Sequence, residues 1–124
     1  MRILGMAERF DKLKKPRFID FRLRRRDKDW QVGEIVQVVY KARSKQREVL
    51  GIARIISIEL KHFYTPSPQG RRITYQEAQR DGFDSEEAME KWFLKTHGPR
   101  VRQEPLNKLT LEWVNDADTK RGVF

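Results

Sequence analysis

The 124 residues contain no cysteine. Disulfides, thiolate metal ligands and a cysteine nucleophile are therefore excluded, although nothing follows about redox compartment. The two histidines, His62 and His97, lie far apart, and neither has a second ligand at metal spacing. No metal and no cofactor are expected. A glycine-rich phosphate loop, a G-x-S-x-G elbow and an H-E-x-x-H helix are all missing. No run approaches the ~20 apolar residues of a membrane span. The opening MRILGMAERFDKLKK has too short an apolar stretch for a signal peptide, so a cytoplasmic protein without a membrane partner is expected. There is no internal repeat and no sign of a second domain. Residues 1–114 are predicted to form one domain, and residues 115–124 have little to bury and are expected to be a loose tail.

Positive charge is abundant. Lys and Arg number 27 against 18 Asp and Glu, a net +9, while the apolar share of 38% with seven Phe and three Trp argues for a folded chain. A surplus of this size favours a polyanionic partner through counterion release. The cations also cluster. Residues 1–30 hold eleven Lys and Arg against five acids, and Lys41, Arg43, Lys45 and Arg47 follow with only Glu48 opposing them. Arginine grips phosphate through two parallel N–H donors, and lysine acts as a point charge. RNA or a nucleotide is the expected partner, with a solvated charge run as the plain alternative.

Hydrophobic periodicity predicts the frame. Ala7 to Leu13 is read as one or two helical turns ending before Pro16. From Arg17 to Leu23, Ile19, Phe21 and Leu23 alternate with Phe18, Asp20 and Arg22, which is strand spacing and puts Asp20 and Arg22 on one face. The charged loop Arg24–Asp29 leads to Trp30, Val32 and a Gly33 turn. A second strand covers Glu34 to Lys41, and a third, near-continuously apolar from Val49 to Leu60, predicts burial on both faces. Gly51 inside it marks a bulge or a close backbone approach. Lys61 to Arg72 reads as a loop. Thr74–Glu77 and Asp84–Glu87 are capping boxes opening two helices, with Phe83 stapling onto Ala88, Gly82 between them and a stop near Gly98–Pro99. Leu106 to Val114 is a last strand. The apolar runs suffice for a small barrel wall, and strands followed by helices give an α+β class.

Within this frame, Asp20 and Arg22 are either a polar pair on a cleft floor or an ion pair closing a barrel end. Asp81 opposes the dipole at a helix C-terminus, so another group, such as an arginine, is expected to hold it. Trp92 and Trp113 fall on apolar faces and are expected in the core. Tyr40, beside the basic hairpin, is the residue expected to stack on a base.

The ordered set formed by the strand ending in Arg22, WQVGE (Trp30–Glu34), VVYKARSKQREVLGIARI (Val38–Ile55) and DGFDSEEAMEKWF (Asp81–Phe93) resembles the ASCH domain of the PUA-like superfamily. The resemblance covers roughly residues 10–114. It implies a small PUA-like β-barrel with flanking helices, a cleft between barrel and helix, and RNA-related roles. Some members look like RNA-binding modules; others are amidohydrolases acting on acetylcytidine, and ribonuclease activity is attributed to some. The amidohydrolases carry a K-T-I-T-I-R strand whose Lys and second Thr are catalytic, with a Glu downstream. Aligned on Arg22, those positions fall on Arg17, Asp20 and near Asp81, all substituted, while Lys15 is out of register by two. Arginine stays protonated near neutral pH, and Asp lacks the hydroxyl nucleophile.

The sequence therefore predicts an RNA- or nucleotide-binding module. Arg17, Arg22, Tyr40, Lys41, Arg43, Lys45 and Arg47 are its candidate contacts, and Asp20 and Asp81 line the cleft. The alternative is a hydrolase acting on RNA or a modified cytidine, with Asp20 or Asp81 as general base. A protein-binding adaptor without a small-ligand site is the third possibility.

Overall fold

A computed structural model describes residues 1–8, 10–63 and 71–114. The chain runs β1 (Arg2–Met6), a 3-10 turn (Asp11–Lys14), β2 (Arg17–Leu23), β3 (Ile35–Tyr40), β4 (Glu48–His62), β5 (Arg71–Arg72), α1 (Tyr75–Arg80), α2 (Glu86–His97), α3 (Arg100–Gln103) and β6 (Leu106–Trp113). The sheet order is β1-β3-β4-β6-β2, with β5 added beside the end of β4. It curls into a half-barrel whose two edges, β1 and β2, face each other without backbone pairing. The result is a small mixed α+β protein. The expected loose tail and the middle of the predicted 61–72 loop lie outside the described residues.

Two residues of β4 explain the curl. Register shifts occur opposite Val38/Val39, where Leu50 is extra, and between Ile55 and Ser57, where Ile56 is extra. Each bulge bends the strand and reverses which residues face inward. A strand that changes phase twice reads as a continuous apolar run. The expected two-sided burial is therefore corrected: within β4 only Ala53, Ile55 and Lys61 are buried, and Val49, Ser57 and Glu59 are exposed. Gly51 satisfies both expectations for it, since it adjoins the first bulge and packs against the Trp113 ring, which an added Cβ would meet at 2.9 Å.

β2 has the predicted alternation and is buried on both faces. Phe18 joins the inner core with Leu4, Val36, Val38, Ile55, Leu109 and Leu111. Ile19 and Phe21 turn outward to a second core under the helices, with Ile73, Ala78, Met89, Phe93 and Val101. The helical layer is therefore fixed on one side of β2, next to the open seam.

Other local differences have simple causes. β1 is not among the predicted strands, because five residues give a weak period; it pairs in parallel with β3. The turn predicted before Pro16 is a 3-10 turn at Asp11–Lys14. The Thr74–Glu77 box forms as expected. The second helix is capped by Ser85, whose hydroxyl accepts from the Ala88 N–H at 3.1 Å, rather than by Asp84. The Phe83 ring packs against Trp92 and Phe93. Trp92, expected in the core, is 38% exposed. No helix among the described residues is long and apolar enough to cross a membrane.

Candidate functional site

The seam between β1 and β2 opens into a cleft of about 420 Å³. One lip comes from Gly5, Met6 and Ala7 at the end of β1. The floor is the β2 segment Asp20–Leu23, and the far wall is Asp81, Phe83 and the cleft side of α2. Its position follows from the fold: edge strands that curl toward each other but do not pair leave a groove, and the helices packed on the outer face of β2 deepen it.

Four charged side chains make the polar floor. Asp20, on the inward face of β2, is buried and accepts from the Nε of Arg22. The Lys12 ammonium, on the 3-10 turn, lies 2.9 Å from Asp20 Oδ1 and 2.7 Å from Asp81 Oδ1. Arg22 also donates to the Gly5 carbonyl across the seam at 2.5 Å. Two cations thus face two carboxylates, unequally shared: Asp20 has both, Asp81 only Lys12.

The inequality separates their acidities. Burial works to raise Asp20, but the Arg22 guanidinium and the Lys12 ammonium outweigh it and hold the carboxyl below its ordinary value. Asp81 is pushed up to about 7 by burial, with Asp20 repelling and Lys12 only partly offsetting. Burial disfavours the Lys12 ammonium, yet the two carboxylates keep its pKa raised. A buried acid titrating near neutrality beside a fixed ammonium can accept or donate a proton, or hydrogen-bond a ligand in either state.

Aromatic rings wall the cleft. Phe10, which carries the Lys12 ammonium 5.1 Å from its ring centre, packs on Gly82. Gly82 has φ +106°, and an added Cβ would meet that ring at 2.7 Å. Phe83, Trp92 and Phe93 form a cluster of tilted and edge-on rings, with His97 beside them. Trp30 is buried, with the guanidinium groups of Arg2 and Arg25 4.3 and 5.6 Å from its ring.

The structure brings Asp20, Arg22 and Asp81 of the sequence candidates together. It places the others elsewhere. Arg17 lies at the exposed start of β2, paired with Glu112 at 3.1 Å. Tyr40 is half-buried at the end of β3 with the Lys41 ammonium over its ring, and Lys41, Arg43, Lys45 and Arg47 belong to the β3–β4 hairpin, outside the cleft lining. That hairpin touches the cleft lip through the backbone, Lys41 N–H donating to the Met6 carbonyl at 2.9 Å. The partner of Asp81 is Lys12 rather than an arginine. Lys12 is not among the sequence candidates, because it falls in the Ala7–Leu13 segment read only as helical turns. Two buried acids and one arginine leave a cation missing, and that charge balance was the available signal.

A second buried ionic group lies on the other side of α1. Glu77 receives Lys61 at 2.9 Å, Lys108 at 2.7 Å and the Thr74 N–H. Burial works against the carboxylate, but these donors lower it to about 2. This group does not line the cleft. No group of three or more His, Asp and Glu side chains placed to hold a metal ion occurs among the described residues.

No family model matches the chain, and no curated protein or solved structure matches it.

Proposed function

We propose that the chain is an ASCH/PUA-like module whose cleft takes one nucleotide unit, base inward, with single-stranded RNA as the partner. The observation that carries this is the combination of aromatic walls with a floor of fixed hydrogen-bonding charges. A nucleobase has flat faces and a polar edge. Phe10, Phe83 and Trp92 line the cleft and offer stacking surfaces. Lys12, Asp20, Arg22 and Asp81 offer both donors and acceptors to the edge. A volume of about 420 Å³ is ample for a base with its sugar. The net charge of +9 favours an anionic chain over a neutral metabolite.

Tryptophan fluorescence of the intact protein, titrated with short single-stranded RNA and with nucleosides, tests this. Quenching by RNA that weakens steeply with added salt is expected. No response to any of these ligands at low salt overturns the proposal.

One observation favours a second reading, a hydrolase acting on a modified nucleoside or RNA. Asp81, held up at about 7 beside the Lys12 ammonium, has the acidity of a general base for water at neutral pH. Incubation with acetylated cytidine and with RNA, followed by product analysis, discriminates. Turnover abolished by Asp81→Asn supports it, and absence of turnover retires it.

A further inference from the structure

On the reading that the cleft takes a base, we infer that Arg24, Arg26 and Arg100 form a seat for the phosphate attached to that nucleotide, on a shelf at the cleft mouth. None of these three was among the phosphate contacts expected from the sequence. The shelf is a separate depression of about 480 Å³ that shares Leu23, Arg25 and His97 with the cleft. The depression therefore adjoins the cleft, within reach of the sugar-phosphate of a ligand whose base lies in it.

Accounting for donors identifies which cations are available. Arg25 is committed to Asp27 through two bonds, at 3.0 and 2.8 Å. Among the described residues Arg24 has only a distant pairing, 3.9 Å from Asp29 Oδ2. Arg26 is exposed and has no hydrogen-bond or ion-pair partner among the described residues. Arg100 lines the shelf and bonds Glu104 and the Arg24 carbonyl through two of its nitrogens, which leaves further N–H groups open. Among the described residues Asp27 is the single acid lining the depression.

The arginine loop is also held in place, unlike a solvated charge run. Asp29 Oδ1 accepts from the N–H groups of Arg25 and Trp30 and from the Asn107 amide at 2.8 Å. Trp30 anchors the loop in the core. A rigid rim of arginines binds an anion with less ordering cost than a mobile one. His97 reports the local field: burial lowers its pKa, and Arg22 and Arg100 lower it further. The groups facing it are the Trp92 and Phe93 rings of its own helix, Arg22 from β2, Arg100 from α3 and the Arg24–Asp27 loop.

A nuclear magnetic resonance pH titration of the His97 ring, assigned with His97→Gln, tests the seat in the intact protein. The probes are cytidine, cytidine 3′- and 5′-monophosphate, a dinucleoside monophosphate and inorganic phosphate. Phosphate-bearing ligands should raise the His97 pKa and bind about tenfold more tightly than cytidine. Arg26→Glu should remove that advantage, whereas Lys45→Glu, an equal charge change on the hairpin, should leave it. Preference for the dinucleoside phosphate identifies an RNA chain as the source, and preference for a monoester identifies a free nucleotide. Equal binding of cytidine and its phosphates with His97 unmoved overturns the seat while leaving the base cleft standing. Equal weakening by Arg26→Glu and Lys45→Glu overturns it as well. A His97 response to inorganic phosphate that Arg26→Glu abolishes, without any nucleoside binding, keeps the seat and removes the base reading.

Discussion

Arg22 donates across the open seam to the carbonyl of Gly5, so the two edge strands of the sheet are joined by a side chain rather than by a backbone ladder. The same guanidinium bonds Asp20. The group that spans the gap in the barrel is thus also part of the cleft floor, and a ligand that competes for Arg22 reaches the barrel's closure.

Removing that span should be felt in both roles. Arg22→Met leaves the Asp20 carboxylate with Lys12 alone and should cost about 3 kcal/mol in urea unfolding at pH 7. Arg22→Lys keeps the charge but cannot make the forked contact, and should recover only part of the stability.

Asp20 and Asp81 should respond oppositely to neutralisation. Asp20 is depressed, so its contribution is present above its ordinary value of 3.8 and is lost as pH falls. Asp20→Asn should therefore destabilise by about 3 kcal/mol at pH 7, with the deficit shrinking below pH 4.

Asp81 is raised to about 7, so the folded state binds a proton that the unfolded state has released between about pH 4 and 7. Its contribution is complete below its ordinary value of 3.8 and is lost as pH rises through about 7. Asp81→Asn should remove that decline, moving the comparison with wild type in the variant's favour by about 4 kcal/mol between pH 4 and pH 8. Urea midpoints at a series of pH values check both aspartates, and parallel curves for the two variants would contradict the assignment.

Lys12→Met should leave two buried carboxylates facing each other and cost about 3–5 kcal/mol at pH 7.5. Acidification to pH 4.5 should recover a large part of the loss, because protonation of Asp81 relieves the repulsion. A loss independent of pH would mean that Lys12 acts through packing alone.

Gly82→Ala should be destabilising by about 1–2 kcal/mol, since φ +106° disfavours a side chain and the new methyl meets the Phe10 ring at 2.7 Å. If Phe10 forms one wall of the base site, the variant should lose ligand affinity at temperatures where it remains folded. Calorimetric titration checks this.

How much of this was legible in the sequence depended on how local each signal was. The alternation of β2 and the Thr74–Glu77 box are short-range patterns, and both occur where the sequence puts them. The first break in β4, at Leu50, was announced by Gly51 beside it, whereas the second, at Ile56, was not legible, because a change of phase inside an apolar run leaves no trace in composition. Asp20, Arg22 and Asp81 could be singled out as polar residues at awkward positions. Lys12 could not, because eight residues separate it from Asp20 and 69 from Asp81, and only the closed fold makes them neighbours. The hairpin cations and the arginine loop look alike in sequence. Their different distances from the seam are a property of topology.

The two buried lysine–carboxylate groups sit at opposite ends of α1. Glu77 secures its first turn to β4 and β6, and Asp81, its C-cap, is secured to the 3-10 turn by Lys12. Six residues are far too few to hold a helix together alone. The amide protons of α1 should therefore exchange with solvent only when one of these ends lets go. A ligand that draws Lys12 away from Asp81 would release one end and leave the other clamped, and occupancy of the cleft would be read out as faster exchange at Gln79 and Arg80 than at Ala78.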